Sequence, residues 1–379
     1  MEGKYEGYPN YREGYDDQIN EERLKKLLET DGAKKTVFTE KELRYLSLYD
    51  LHLLNGYYIA QSEENAAENL AEVRRELTFR RKKQAYFTKI GIEVRYALKF
   101  HKPSKDQRTL LSRVSLWEKR DRRPEEKDYP DDPRRLIRDW GNVSEHCLVE
   151  VARVEVLAEM LGLSDEVKRK LIIAAALHDS GKRNEVTAMK KAKARCEDVM
   201  YASEQADSRW EAMLIRHNVP EDIVHLAGSC GGHPHQLKET MEVLDKFEHN
   251  KKLTEHDLAF LIMHYVDDFT DGNKWVTESE WVMESEGEGN LINDVDRRMR
   301  ANAKKELYKA PERDARIQAT RPEFKEMNVW QAMAYVSHRI EETLTFLIQE
   351  PGREIEPLKI PEEVDKLIRE KIDRVQLDQ

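Results

Sequence analysis

The run Leu177-His178-Asp179-Ser180-Gly181-Lys182 closes an apolar segment, residues 172–177, of isoleucine, alanine and leucine. An imidazole and a carboxylate adjacent in sequence at the end of an apolar helix can both point into one cavity. The unsatisfied carbonyls of a helix C-terminus favour a cation there. Gly181 lets the backbone turn sharply, and Lys182 can reach back over the pair. Upstream, His146 stands beside an apolar stripe. Downstream, Asp267 and Asp268 end the apolar run from Ala259 to Val266. A carboxylate following so apolar a segment is costly to bury unless it meets a cation or a partner. Asp267 and Asp268 compete for that role. Imidazole plus carboxylate suits a divalent ion (Mn, Fe, Co, Ni, Zn or Mg), with the carboxylates favouring the harder ions.

The elements that must carry these groups read as helices. Asn142 to Glu145 has the form of a capping box opening a helix. Cys147, Val151, Val154, Ala158 and Leu161 follow as a stripe at spacings of four and three, and Gly162 supplies the stop. A second helix covers about 165–179, with Leu171, Ala175 and His178 on one face. Further helices are expected over 187–217, 220–230, 236–248, 254–269, 294–308 and 328–349, with a charged C-terminal helix beyond. Toward the N-terminus, 19–30 reads as a short amphipathic helix, a longer one opens at Thr39, and a charged one spans about 63–83. In residues 92–100 apolar and polar side chains alternate, and the turn residues after His101 leave a β-hairpin over 90–117 as open as a helix. Three prolines and dense charge over 118–139 mark a linker. The expected class is mainly α: an N-terminal helical, basic extension over 1–135 with room for a small β-hairpin, a helical domain over 136–350, and a helical tail over 351–379.

The 379 residues are 39% apolar and 36% charged, with 8% aromatics, six Trp, 16 Gly and 12 Pro. That is enough chain for a core without disulfides, and too little glycine and proline for a loop-rich β fold. Three cysteines with no CxxC pair argue against a zinc ribbon or a thioredoxin-like site and suit a reducing compartment. No apolar leader and no long apolar window are visible, so a cytoplasmic protein with no membrane partner is expected. Net charge is −10, yet residues 73–127 hold 18 Lys/Arg against 7 Asp/Glu. Such a stretch can clamp nucleic acid, but an acidic partner within the same chain is the favoured reading.

The pattern His146, His178-Asp179, Asp267, with the central dyad in the form HDxGK, resembles the HD-domain superfamily of metal-dependent phosphohydrolases. The likeness covers roughly residues 142–270, about a third of the chain. It implies a helical bundle in which His146, His178, Asp179 and Asp267 ligate one divalent ion. It further implies hydrolysis of a nucleotide or another phosphorylated small molecule, by attack of an ion-activated water on phosphorus. Asp179 would orient or bridge metals and Lys182 would contact the substrate phosphate.

Many relatives hold a second metal through extra histidines between the dyad and the last aspartate. His217, His225, His233 and His235 lie in that interval, His233 being the most site-like after Gly231-Gly232, and Glu204 stands where some relatives carry a ligand. The resemblance therefore allows one or two ions, with Glu204 and His233 completing a dinuclear site and His233 available to the chemistry. The plainer readings are a polar surface turn for His233 and His235 and a solvated helix face for Glu204. Arg297, Arg298 and Arg300 form a basic cluster that could bind phosphate bidentately, the solvated helix face being the favoured reading. Two other functions remain open: an HD-type di-iron oxygenase, and a nucleic-acid binder or nuclease using 73–127. A homo-oligomer is compatible with all three.

Overall fold

A computed structural model describes residues 24–30, 33–34, 38–39, 42–43, 46, 48–61, 66–97, 141–249, 251–270, 294–304, 311–349 and 359–377. The described chain is mainly α-helical, with one two-residue strand pair, β1 (Glu29–Thr30) and β2 (Ala33–Lys34), antiparallel in register Glu29 to Lys34. It divides into two compact units, and among the described residues the division falls after residue 83.

The first unit is built on α1 (Leu48–Ala60) and the first part of α2 (Ala66–Ala97). Leu51, Leu54 and Tyr58 on α1 and Ala66, Val73 and Leu77 on α2 recur at helical spacing and bury a core with Leu28, Phe38 and Leu43. Thr39 and Glu42 form a capping box: the Thr39 amide donates to Glu42 Oε2 at 2.8 Å and the Glu42 amide to Thr39 Oγ1 at 3.3 Å. Of the expected helix over 19–30, residues 24–28 are helical and the rest of its described end is strand β1.

The expected β-hairpin is corrected over residues 90–97, which continue α2. The alternation there is short, and it follows a long run of Ala, Leu, Glu, Lys and Arg. Once a helix is nucleated each further residue gains a hydrogen bond for one residue fixed, so the helix propagates through it. Residues 98–117 lie outside the described set.

The second unit holds α3 (Gly141–Met160), α4 (Asp165–Leu177), α5 (Lys182–Ala194), α6 (Val199–Arg216), α7 (Glu221–Ala227), α8 (Pro234–Glu248), α9 (Glu255–Phe269), α10 (Asp294–Ala303), α11 (Pro311–Gln318), α12 (Val329–Ile348) and α13 (Ile360–Asp373). Helix α3 already includes Asn142, so the expected capping box lies inside the helix. The α3–α4 turn is a Schellman motif. Gly162 takes φ +65°, Leu163 N donates to Ala158 O at 2.9 Å and Gly162 N to Glu159 O at 3.1 Å. The single helix expected over 187–217 is two: Cys196 adopts φ +55° and Asp198 caps α6, accepting from Tyr201 N at 3.0 Å.

Helix α9 is the hub, packed against α3, α4, α8, α10 and α12, and every residue from Ala259 to Phe269 is buried. An apolar helix with no polar face can only be accommodated in the middle of such a bundle. The C-terminal helix α13 is no separate tail. Ile360, Val364, Ile368 and Ile372 form one stripe, all fully buried, and α13 packs on α3. Between them Arg153 and Asp365 make a fully buried bidentate pair, with Nε to Oδ1 and Nη2 to Oδ2 both at 2.9 Å. Arg153 Nη1 also donates to Thr270 Oγ1 at 2.7 Å, at the end of α9.

Candidate metal centre

Three helices of the second unit deliver imidazoles and carboxylates to one point. The α3–α4 hairpin brings His146 beside the end of α4, where the chain leaves the helix at His178, and α9 packs across both with Asp267 in its last turn. The donor atoms of His146, Glu150, His178 and Asp267 all lie within 4.8 Å of one another. His146 Nε2 is 2.7 Å from Glu150 Oε1 and 3.3 Å from Asp267 Oδ1, and His178 Nε2 is 3.8 Å from Asp267 Oδ1. Asp179 Oδ2 stands 3.9 Å from Nε2 of both imidazoles. The four residues expected from the sequence therefore converge.

The orientation of His178 suits a ligand. Its Nδ1 donates to the Ala175 carbonyl at 2.8 Å, one of the orphan acceptors of the α4 C-terminus. A carbonyl only accepts, so Nδ1 carries a proton, and in the singly protonated ring that leaves Nε2 with the lone pair. That Nε2 is buried and has no hydrogen-bond partner among the described residues. A buried acceptor without a partner is costly unless something electropositive meets it. The donor set thus fits a divalent ion: two imidazoles, an orphaned lone pair and carboxylates converging from three elements.

Electrostatics bind the group together. Burial pulls the His146 pKa down, but the Glu150 carboxylate, aided by Asp267, pushes it up to about 10. Burial raises Glu150, with the neighbouring histidines opposing. Burial would raise Asp267 too, yet Arg298 and the two histidines hold it well below the usual carboxylate range. Asp179 is likewise lowered against its burial, by Lys182 and the histidines. Burial and the surrounding carboxylates push the Cys147 and Cys230 thiols well up, which leaves neither as a thiolate nucleophile.

Of Asp267 and Asp268, Asp267 is the one that lies in this cluster. Asp268 is fully buried, accepts the Ser337 hydroxyl and lies 3.4 Å from His264 Nε2, on another side of α9. Lys182 Nζ sits 3.6 Å from Asp179 Oδ1 and 3.2 Å from Glu185 Oε2. The proposed extra ligands are not part of that cluster and have other partners. His233 Nε2 is 2.7 Å from Asp207 Oδ2, and Glu204 pairs with Arg316 at 2.6 Å. His235 stacks on His233, and His225 pairs with Glu239 at 3.0 Å. No second group of three or more such side chains forms among the described residues.

Sequence reasoning passed over Glu150. Glu150 lies four residues after His146 on the same helix, so their side chains meet; that spacing was the available signal. Arg298, expected on a solvated face, is instead mostly buried and donates from Nη2 to Asp267 Oδ1 at 2.9 Å.

Gly181 is required for a reason other than turning. Its φ is −86°, open to any residue, but a Cβ there would stand 2.6 Å from Cδ1 of Trp210. The indole packs against the glycine and its Nε1 donates to Ser180 Oγ at 2.8 Å. Gly181→Ala is expected to displace Trp210 and to cost about 1–3 kcal/mol, the usual penalty for overpacking. Urea melts and indole fluorescence check this; an unchanged midpoint would show that Trp210 moves freely.

In the basic stretch, Arg75 and Arg80 pair with Glu72 and Glu76 of their own helix, each at 2.7 Å; residues 98–127 lie outside the described set. Among the described residues no helix is long and apolar enough to cross a membrane. A scan against protein-family models and searches of curated proteins and of solved structures found no match to this chain.

Proposed function

We infer that this chain is a divalent-metal-dependent phosphohydrolase of the HD type, acting on a nucleotide or another phosphorylated small molecule. The observation that carries the reading is His178: its tautomer is set by a helix carbonyl, and its buried Nε2 is left without a partner amid His146, Glu150, Asp179 and Asp267. These residues would hold the ion. Once bound, a divalent ion supplies Lewis acidity and lowers the pKa of a water from 15.7 towards about 7. The chain does the rest. Ala175 keeps His178 in the required tautomer. Lys182, beside Asp179 and partly exposed, is placed to meet the oxygens of an incoming phosphoryl group.

The test is turnover of a panel of nucleotides and p-nitrophenyl phosphates by Mn- or Co-loaded protein. Hydrolysis abolished by a chelator and restored by the ion is expected; hydrolysis indifferent to the chelator contradicts the reading.

Ion uptake is also expected to release a proton. With its pKa at about 10, His146 is protonated at neutral pH in the ion-free chain and must lose that proton to ligate. Affinity is then expected to rise about tenfold per pH unit up to about pH 10. Calorimetry in buffers of different ionisation enthalpy reads the proton count. An affinity flat with pH contradicts His146 as a ligand.

A further inference from the structure

Two cations border the carboxylates of the candidate centre. Lys182 Nζ lies 3.6 Å from Asp179 Oδ1, and Arg298 Nη2 donates to Asp267 Oδ1 at 2.9 Å. Arg298 comes from α10, which packs on α9 and α12. Its Nη1 is buried and has no acceptor among the described residues. A guanidinium with one arm bound and the other arm buried and idle is an expensive arrangement if nothing ever meets that arm.

Charge says what would meet it. Glu150, Asp179, Asp267 and Glu185, the last 3.2 Å from Lys182, bring at most four negative charges, and Lys182 and Arg298 bring two positive ones. A divalent ion seated among the carboxylates offsets the remaining negative charge, so that the cations are no longer outweighed and an anion is no longer repelled. The guanidinium fork, with Nη2 on a carboxylate and Nη1 without an acceptor among the described residues, matches the oxygens of a phosphoryl group better than a lysine does.

We propose that Arg298 is an anion-anchoring residue that takes an oxygen of the substrate's phosphoryl group through Nη1, and does so only when a divalent ion occupies the centre. This rests on the metal reading above. Without the ion, the neighbouring carboxylates repel a phosphate. With it, they are neutralised, and Arg298 and Lys182 face the anion together. Ion binding thereby creates the substrate site as well as serving the chemistry.

The experiment measures the affinity of inorganic phosphate for the full chain, by calorimetry and by paramagnetic broadening of the phosphorus resonance with Mn. It compares the natural sequence with Arg298→Met and Arg298→Lys, with Mn affinity determined separately for each. Phosphate is expected to bind the natural chain only with Mn present. Arg298→Met is expected to weaken phosphate by about 10–100-fold, the span of a lost charged hydrogen bond, while Mn affinity is kept or tightened. Arg298→Lys retains a charge for Asp267 but not the second donor, and should bind Mn normally and phosphate weakly; it decides the matter if Arg298→Met does not fold. Equal phosphate affinity in Mn-loaded natural and variant chains overturns the role of Arg298 while leaving the metal reading intact. Phosphate bound equally well without Mn overturns the ion dependence. A natural chain that takes up no Mn overturns both readings at once.

Discussion

Arg153→Met is expected to lower the free energy of unfolding by about 3–5 kcal/mol, a large share of the roughly 5–15 kcal/mol that holds a domain together. Arg153 and Asp365 are both fully buried, and the carboxylate has both oxygens on the guanidinium. Removing the arginine leaves a buried carboxylate between α3 and α13 without the guanidinium that both its oxygens accept from. The guanidinium also stacks over Phe269 with Cζ 4.6 Å from the ring centroid, so packing is lost with the charge. The double variant Arg153→Met with Asp365→Leu is expected to recover most of the loss, because the desolvation cost of both charges goes with them. Urea denaturation of the three chains measures this. A single variant within 1 kcal/mol of the natural chain would show that α13 does not dock on α3 as described. The consequence reaches the candidate centre, since Arg153 also bonds Thr270, and Thr270 Oγ1 donates to Val266 O at 2.6 Å beside Asp267.

His178→Gln is the second change of large effect. Loss of a partner that merely orients a ligand costs roughly 10–100-fold in metal affinity, and loss of the ligand itself is expected to exceed that. Thermal stability provides a readout independent of turnover. An ion at about 100 times its dissociation constant stabilises the folded chain by about 2.7 kcal/mol. The natural chain is therefore expected to melt several degrees higher with Mn, and His178→Gln to show no such shift while melting no lower than the ion-free natural chain. Hydrolysis should vanish with the shift. Asp268→Asn provides the contrast: its carboxylate serves Ser337 and His264, so stability should fall while the Mn-induced shift persists. A shift retained in full by His178→Gln would remove His178 from the centre.

The dyad at 178–179, with His146 and an aspartate at the end of an apolar helix, was legible because metal-ligating residue types stood at helix ends where a polar group needs a reason. The helices were legible from apolar spacing, and α9 from its uniform apolarity. What escaped depended on distant partners. A glutamate or arginine on a helix ordinarily faces water; Glu150 does not, because it meets the imidazoles of His146 and His178, and Arg153 does not, because α13, far along the chain, packs on α3. Arg298 reads as one of a basic run until α10 is seen packed on α9. Gly181 looked like a turn residue, whereas its constraint is the Trp210 ring from α6. The alternation after residue 90 mimicked a strand because a two-residue period is easily met by chance over a few positions, and only the long helix before it decides the outcome.

The central claim is that His146, His178, Asp179 and Asp267, with Glu150 between the imidazoles, gather around a divalent ion. Its most direct test is the metal content of the purified chain after stripping, reloading with Mn or Zn and desalting. The account predicts about one tightly held ion per chain, as for a site of this ligand count. A reloaded chain that emerges from desalting without a retained ion would contradict it.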